Sequence, residues 1–108
     1  SLVLQPGARL TLAKSTMPGF SPDYTFPSDW YLSGDDEVIL ECNSTTVDEV
    51  DYSGWSVGPN DGAALGLDPT APQTAAANDQ ASNWCDQSTS LPNTSDKGTP
   101  GLPNDSCS

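Results

Sequence analysis

The chain has 108 residues, with 15 Asp or Glu side chains against only three Lys or Arg side chains, for a formal net charge of −12. A surface this acidic repels phosphate backbones, because nucleic-acid affinity depends on Lys and Arg displacing condensed counterions. The length predicts one domain over residues 1–108, and 34% hydrophobic residues with 9 Gly and 10 Pro disfavour long helices and favour an all-β fold.

The residue types that most often carry catalysis are missing or unpaired. Histidine is absent, which removes the commonest general base and the commonest transition-metal ligand. The three cysteines, Cys42, Cys85 and Cys107, lack C-x-x-C spacing, so neither a zinc site nor a Cys-His nucleophile can be assembled. Phosphate-binding glycine motifs and a nucleophile elbow are also missing. We therefore expect a protein without enzymatic activity and without a resident cofactor.

The N-terminal part predicts a turn followed by short strands. Residues 5–8 place Pro and Gly where a type II turn needs a fixed φ and then a positive one. Leu10 and Leu12 then alternate with polar neighbours, which predicts a half-buried strand that ends near Lys14. Residues 23–26 predict a second short strand.

Residues 35–52 predict one β-hairpin, around which the chain is organised. On the first arm, alternation directs three side chains inward, namely Val38, Leu40 and Cys42. Residues 43–45 form the turn. Three apolar residues of the return arm cannot share one face at strict alternation: Val47, Val50 and Tyr52. An extra residue near Asp48-Glu49 should therefore lie in a β-bulge.

The C-terminal half predicts two short strands and a long irregular segment. Residues 65–67 and 83–85 are the strands, and residues 74–77 can form a helical turn. Residues 86–108 have no periodicity and need a covalent restraint. A disulfide between Cys85 and Cys107 would close a loop of about 20 residues and contribute roughly 3 kcal/mol in the chain-entropy model.

The remaining cysteine and the glycosylation sequons bear on the cellular compartment in which the protein works. Cys42 is either a buried small apolar residue or the partner of a cysteine outside this chain. Three sequons, at Asn43, Asn93 and Asn104, lie in turn-like segments and are candidate glycosylation sites, at least one of them a chance match. Together with the disulfide they indicate an extracellular or cell-surface location. No apolar run is long enough to span a bilayer, so we expect no direct membrane insertion.

Acidic and aromatic residues each allow two interpretations. Asp35, Asp36 and Glu37 are candidate Ca²⁺ ligands, but the D-x-D-x-D-G spacing is absent and a solvated acidic surface is the preferred interpretation. Adjacent acids on opposite faces of a strand also do not supply the shaped cleft of a glycosidase. Trp30, Trp55 and Trp84 could line a sugar-binding platform, although core packing is the preferred interpretation.

A series of short motifs recurs in order along nearly the whole chain. They are LSGDDEV at 32–38, VDEVDY at 47–52, GAALGLDP at 62–69, NWC at 83–85 and GTPGLPN at 98–104. The series resembles the lamin-tail domain family, in the form carried by secreted and surface proteins. The resemblance implies an immunoglobulin-like β-sandwich that serves as a non-catalytic module for attachment, interaction or scaffolding, with a protein partner. No rod-like heptads are present, so the nuclear role is not expected.

Family members usually begin with further strands before the corner seen here at Leu4 to Gly7, so we expect the domain to be incomplete at its N-terminus. An open sheet position would expose core side chains and unpaired backbone groups. Two alternatives to a simple adhesive module follow. One is a subunit of an extracellular assembly or filament, completed by a strand from a neighbouring chain. The other is a Ca²⁺-dependent ligand-binding module.

Overall fold

A computed structural model describes residues 2–14, 19–26, 29, 31–92 and 94–108. The regular elements in these residues are strands β1 (Leu12–Lys14), β2 (Tyr24–Phe26), β3 (Glu37–Cys42), β4 (Thr45–Asp51), β5 (Leu65–Leu67) and β6 (Trp84–Asp86), the short helix α1 (Ala75–Asn78) and a 3-10 turn at Ala81–Asn83. The strands form three two-stranded sheets: β1 pairs with β2 in parallel, whereas β3 with β4 and β5 with β6 are antiparallel. A β-rich fold with little helix is therefore confirmed.

Several local predictions are confirmed. Gly7 has a φ of 77° and the N–H of Ala8 donates to the carbonyl of Gln5 at 2.9 Å, as the Pro-Gly corner requires. Helix α1 begins after Thr74, whose side chain accepts a hydrogen bond from the N–H of Ala77. Strands β2, β5 and β6 lie within one residue of their predicted positions.

The prediction that Leu10 and Leu12 face the core is wrong. Leu10 is 38% exposed and Leu12 is 54% exposed, whereas the next residue, Ala13, is buried with 4% exposure. Leu12 lines an open depression with Phe20 and Tyr31, and no second layer covers it among the described residues. A strand with nothing packed over one face leaves that face in solvent, whatever its side chains.

The central hairpin forms as predicted but is not packed as predicted. A two-residue turn at Asn43 and Ser44, with φ values of 49° and 63°, joins β3 to β4. The register changes between Leu40 and Glu41, which leaves Val47 as the extra residue of a bulge, just before the predicted position. The expectation that Val38, Leu40 and Cys42 turn into a core is wrong, because all six residues of β3 are exposed.

The C-terminal segment is irregular and restrained. Cys85 and Cys107 form a disulfide with a Cα–Cα distance of 5.5 Å, as predicted. The N–H of Cys107 donates to Asp68 at 3.1 Å, and the side-chain amide of Asn104 donates to the carbonyl of Leu67 at 2.8 Å. These hydrogen bonds and the disulfide hold residues 104–107 next to β5.

Candidate interaction surface

The hairpin is a regular two-stranded ribbon, and its turn and strand residues explain why it forms. Both turn residues have positive φ, as in a type I′ turn, whose twist matches that of the flanking strands. Asn tolerates this left-handed region better than most residues. Val38 pairs with Val50, and Ile39 pairs with Glu49. β-branched residues at these positions favour the extended backbone.

The hairpin exposes a run of aliphatic side chains. Val38 and Ile39 are each 47% exposed, Leu40 is 60% exposed and Val47 at the bulge is 57% exposed. Scattered exposed apolar residues are ordinary on a protein surface. Here Val38 and Leu40 share one face of β3 and Ile39 projects from the other, so both faces of this strand carry exposed aliphatic side chains.

An apolar cleft opens beside the hairpin. Its volume is about 400 Å³, and its walls come from the hairpin, from β5 and β6 and from the segments before and after the hairpin. The lining residues are Leu32, Ser33, Val38, Val50, Tyr52, Trp55, Pro59, Leu65 and Trp84. At one side Trp55 packs on Trp84 with ring centroids 5.9 Å apart and planes tilted by 53°. Trp55 and Trp84 therefore form part of a cleft wall, and Trp30 lies outside the described residues.

Tyr52 fixes the base of the hairpin to the segment that precedes it. The residue is 7% exposed, and its hydroxyl donates to the carbonyl of Ser33 at 2.7 Å. The pKa of the Tyr52 phenol is raised, first by burial and then by the neighbouring carboxylates Asp36, Glu37 and Asp35. The phenol therefore stays protonated and keeps its donor role across the physiological range.

Two of the three candidate Ca²⁺ ligands, Asp35 and Asp36, accept hydrogen bonds from backbone N–H groups. Asp35 accepts from the N–H of Gly54 at 2.7 Å, and Asp36 accepts from the N–H groups of Ser33 and Glu37 at 3.1 and 2.9 Å. These N–H donors, Ser33 first, hold the pKa of Asp36 below its ordinary value. In the described part of the chain no group of three or more acidic, cysteine or histidine side chains could hold a metal ion. The three acids do not converge on a site.

The two faces of the hairpin differ in chemistry. Val38, Val50 and Leu40 share one face, and the first two line the cleft. The other face carries Ile39 surrounded by four carboxylates: Glu37 opposite Asp51, Glu49 opposite Ile39, and Glu41 beyond the register change. Like charges directly across a ladder destabilise it. Alternation in the sequence already indicated the outward position of Glu37, Ile39 and Glu41.

The two edges of the hairpin also differ. Beyond β4 lies α1, and Asn78 donates from its side-chain amide to Asp48 at 2.6 Å. No strand pairs with the other edge, β3, in the ranges that the structure describes. The N–H of Tyr52 donates to the carbonyl of Asp36 at 3.0 Å, so the alternating ladder turns the N–H and C=O of Ile39 away from β4, toward that open edge.

A second groove is lined by residues of the N-terminal segment and of the C-terminal half, and it includes one buried polar side chain, Gln87. Its volume is about 720 Å³, and Gln87, which is 3% exposed, lines it together with Arg9 and Lys97. The side-chain Oε1 of Gln87 accepts from the N–H of Asp105 at 2.7 Å, while its Nε2 has no acceptor among the described residues. This side chain fills the space that a Cβ on Gly66 would need.

Asp105 is the polar anchor of this half of the molecule. Its carboxylate accepts from the N–H groups of Ser88 and Thr89, each at 2.8 Å, and from the Thr89 hydroxyl at 2.8 Å. Hydrogen bonds from Thr89, backbone first, and from Ser88 lower the pKa of Asp105 to about 2. No sequence signal indicated Gln87 or Asp105, because their partners lie 12 to 18 residues away in irregular backbone.

The modification candidates fall into three situations. Asn43 is exposed at the tip of the hairpin. Asn104 is half-buried, and its side-chain amide is already the donor to Leu67. Asn93 lies outside the described residues. Cys42 is exposed and unpaired, so its interpretation as a buried small apolar residue is wrong.

The chain matches no protein-family model, no curated protein and no solved structure. Among the residues described, no helix is long and apolar enough to cross a membrane. The disulfide indicates an oxidising compartment outside the cytosol. Function therefore has to be inferred from the chain's own surfaces.

Proposed function

We propose that this chain is a non-catalytic interaction module that holds an extended segment of a protein partner on the β3 edge and in the adjacent apolar cleft. One observation carries the proposal. Val38, Ile39 and Leu40 stand 47 to 60% exposed on a strand whose outer edge has no partner strand in the described part of the chain. An open edge binds extended peptides through main-chain hydrogen bonds, and neighbouring pockets select side chains.

The architecture that we propose is the immunoglobulin-like sandwich implied by the resemblance to lamin-tail domains. The three sheets would then be parts of two layers, to which the partner segment adds a strand at the β3 edge. The shallow burial supports this, because only Ala13 and Tyr52 are buried apolar residues among those described. Two-stranded ribbons are marginal on their own, and three or more strands with an apolar face are needed for independent stability.

We place the module in the extracellular space or on the cell surface. The Cys85–Cys107 disulfide supports an oxidising compartment. The sequon at Asn43 supports the same location, because a glycan on this exposed turn would extend into solvent. At Asn104 a glycan would compete with the hydrogen bond to Leu67, so we propose Asn43 as the better acceptor of the two.

A second candidate is a subunit of an extracellular assembly, in which the neighbouring chain supplies the added strand. The open edge of β3 favours it for the same reason. The two candidates differ in what occupies the edge: a segment of another protein for the module, and a repeated subunit for the assembly. Molar mass measured by light scattering over a range of protein concentrations separates them, because the assembly grows with concentration and the module stays monomeric.

The test of the proposed function is selection from a display library of short random peptides, followed by affinity measurement with two matched variants. Val38→Asn places a polar group in the cleft wall, whereas Val47→Asn makes the same change on an exposed residue outside the cleft. We expect selected peptides to bind the Val38→Asn variant at least several-fold more weakly and the Val47→Asn variant normally. Selection of no peptide, or equal loss with both variants, would overturn the proposal.

A further inference from the structure

Starting from the proposed function, we infer that the segment bound at β3 is an extended strand of a different protein in which apolar residues alternate with Lys or Arg. Its apolar side chains enter the cleft beside Val38. Its basic side chains lie on the opposite face of the sheet, against Glu37, Glu41 and Glu49. The β3 edge is thereby assigned a partner strand in which apolar and basic residues alternate.

Alternation on the partner follows from the geometry of an added strand. Side chains of neighbouring strands project to the same two faces, so every second residue of the partner faces the cleft and the others face the acids. Ile39 offers its N–H and C=O at the open edge, which allows a partner residue to exchange both hydrogen bonds with it. The N–H of Glu37 already donates to the Asp36 carboxylate at 2.9 Å, so the contact is centred on Ile39.

The negative charge on the outer face of the hairpin favours Lys or Arg on the partner strand. Four carboxylates surround Ile39 on the outer face, and Glu37 lies directly opposite Asp51 in the ladder. The three cations of the chain, Arg9, Lys14 and Lys97, lie on other elements. This repulsion has no compensating charge within the hairpin, and a strand with Lys or Arg on this face would supply it.

Charge also argues against a second copy as the occupant. Each chain has a net charge of −12, and pairing β3 with β3 would bring the acidic faces of two hairpins side by side. Juxtaposed like charges across an interface disfavour association. A segment of opposite charge from another protein meets the same edge with attraction.

The first experiment compares three synthetic peptides of equal length. Valine alternates with lysine in one, with threonine in the second and with glutamate in the third. We expect the valine-lysine peptide to bind roughly tenfold more tightly than the valine-threonine peptide, with an advantage that falls as salt is raised, and the glutamate peptide not to bind. A scrambled valine-lysine peptide, which has the same charge without alternation, should bind much more weakly. Equal affinity of the alternating and scrambled peptides would overturn the proposal, since it would show charge attraction without strand register.

The second experiment neutralises the acids of the outer face, with a control variant that changes the net charge by the same amount. The variant Glu37→Gln, Glu41→Gln and Glu49→Gln neutralises three carboxylates of the outer face. Its control, Asp29→Asn, Asp61→Asn and Asp79→Asn, neutralises three exposed carboxylates elsewhere. We expect about a three- to tenfold loss of valine-lysine affinity in the first variant and little change in the control. Equal losses would overturn the inference, because they would reflect net charge alone.

The third experiment tests the edge itself. Ile39→Pro removes the outward N–H, and proline is tolerated on edge strands. We expect loss of peptide binding with the far-ultraviolet circular dichroism unchanged. A valine-lysine peptide N-methylated only at its valines keeps the test independent of the variant's folding, because the lysine N–H groups, which face the β3 edge, remain free to pair. It should bind, whereas full N-methylation should abolish binding, and binding that survives full N-methylation would overturn strand addition.

Failure of this inference is distinguishable from failure of the proposed function. If the valine-threonine peptide binds as well as the valine-lysine peptide, and binding depends on Val38, the basic partner is wrong and the interaction module stands. If no peptide of any charge binds and none is selected from the library, the proposed function itself is wrong.

Discussion

The β3–β4 hairpin and the C-terminal half of the molecule are stabilised by different kinds of contact. Residues 62–108 form few strands, but a disulfide, the buried Gln87 and the hydrogen-bonded Asp105 connect segments far apart in sequence. The hairpin has the most regular backbone in the described part of the chain, yet β3 buries none of its six residues.

In the C-terminal half, polar groups hold the structure together. In the hairpin, apolar side chains have no packing partner within the described part of the chain. Irregular backbone is stable when its polar groups are satisfied, and the C-terminal half achieves this through side-chain acceptors. The hairpin satisfies its inner ladder and leaves aliphatic side chains and an open edge in solvent. We therefore assign stability mainly to the first region and partner binding to the second.

Of the changes considered, removal of the disulfide should lower the free energy of unfolding the most. Cys85→Ala with Cys107→Ala releases a loop that spans a sequence separation of 22 residues. We expect a loss of roughly 3 kcal/mol in the free energy of unfolding, measured by urea denaturation. Cys42→Ala is the control, because this cysteine is exposed and unpaired. A change below about 1 kcal/mol in the double variant would contradict the assignment.

Gly66→Ala should disrupt the packing around Gln87. The added Cβ would overlap the amide group of the Gln87 side chain, which is itself held by Asp105. We expect destabilisation of about 1–3 kcal/mol by thermal or urea unfolding. Gly34→Ala adds the same methyl group where no atom lies within 4 Å, and it should leave stability nearly unchanged. Equal stability of the two variants would show that Gln87 is not fixed in place.

The Asp105 network should give the C-terminal half an acid-sensitive component. The folded-state pKa of Asp105, about 2, lies below its ordinary value of 3.8. The contribution of Asp105 to stability is therefore full above the unfolded pKa and is lost as the pH falls from about 4 to about 2. The stability difference between the parent protein and Asp105→Asn should therefore shrink over this window. The exposed Asp61→Asn removes the same charge and serves as control. A difference that is independent of pH would contradict the hydrogen-bonded carboxylate.

The smallest effect should come from the exposed strand. Leu40 is 60% exposed, so Leu40→Ser should change the free energy of unfolding by no more than about 0.5 kcal/mol. Chemical denaturation of the monomer at low concentration provides the measurement. A loss above about 2 kcal/mol would mean that Leu40 is covered in the free protein.

Local sequence signals predicted much of the regular structure. The hairpin, the Pro-Gly corner and strand β5 depend on neighbours within a few residues, and they were predicted from alternation and turn residues. The helical turn predicted at residues 74–77 forms one residue later, at Ala75–Asn78, and its Thr74 cap was not predicted. The Cys85–Cys107 pairing followed from the need to restrain an aperiodic segment.

The direction of burial could not be predicted in the same way. Alternation shows that Val38 and Leu40 share a face, but whether that face is covered depends on elements elsewhere in the structure. The same holds for Leu12, which faces solvent while the smaller Ala13 is buried. Gln87 and Asp105 were missed because their side-chain contacts join irregular segments that have no periodic pattern.

The most direct test of the central claim is amide hydrogen exchange at Ile39, read by nuclear magnetic resonance with and without the valine-lysine peptide. We expect this outward N–H to exchange rapidly in the free monomer and slowly at peptide saturation, while exchange at Gly66 and Cys85 is unchanged. An Ile39 amide that is already protected in the free monomer, or one that stays fast while the peptide protects other amides, would contradict the central claim.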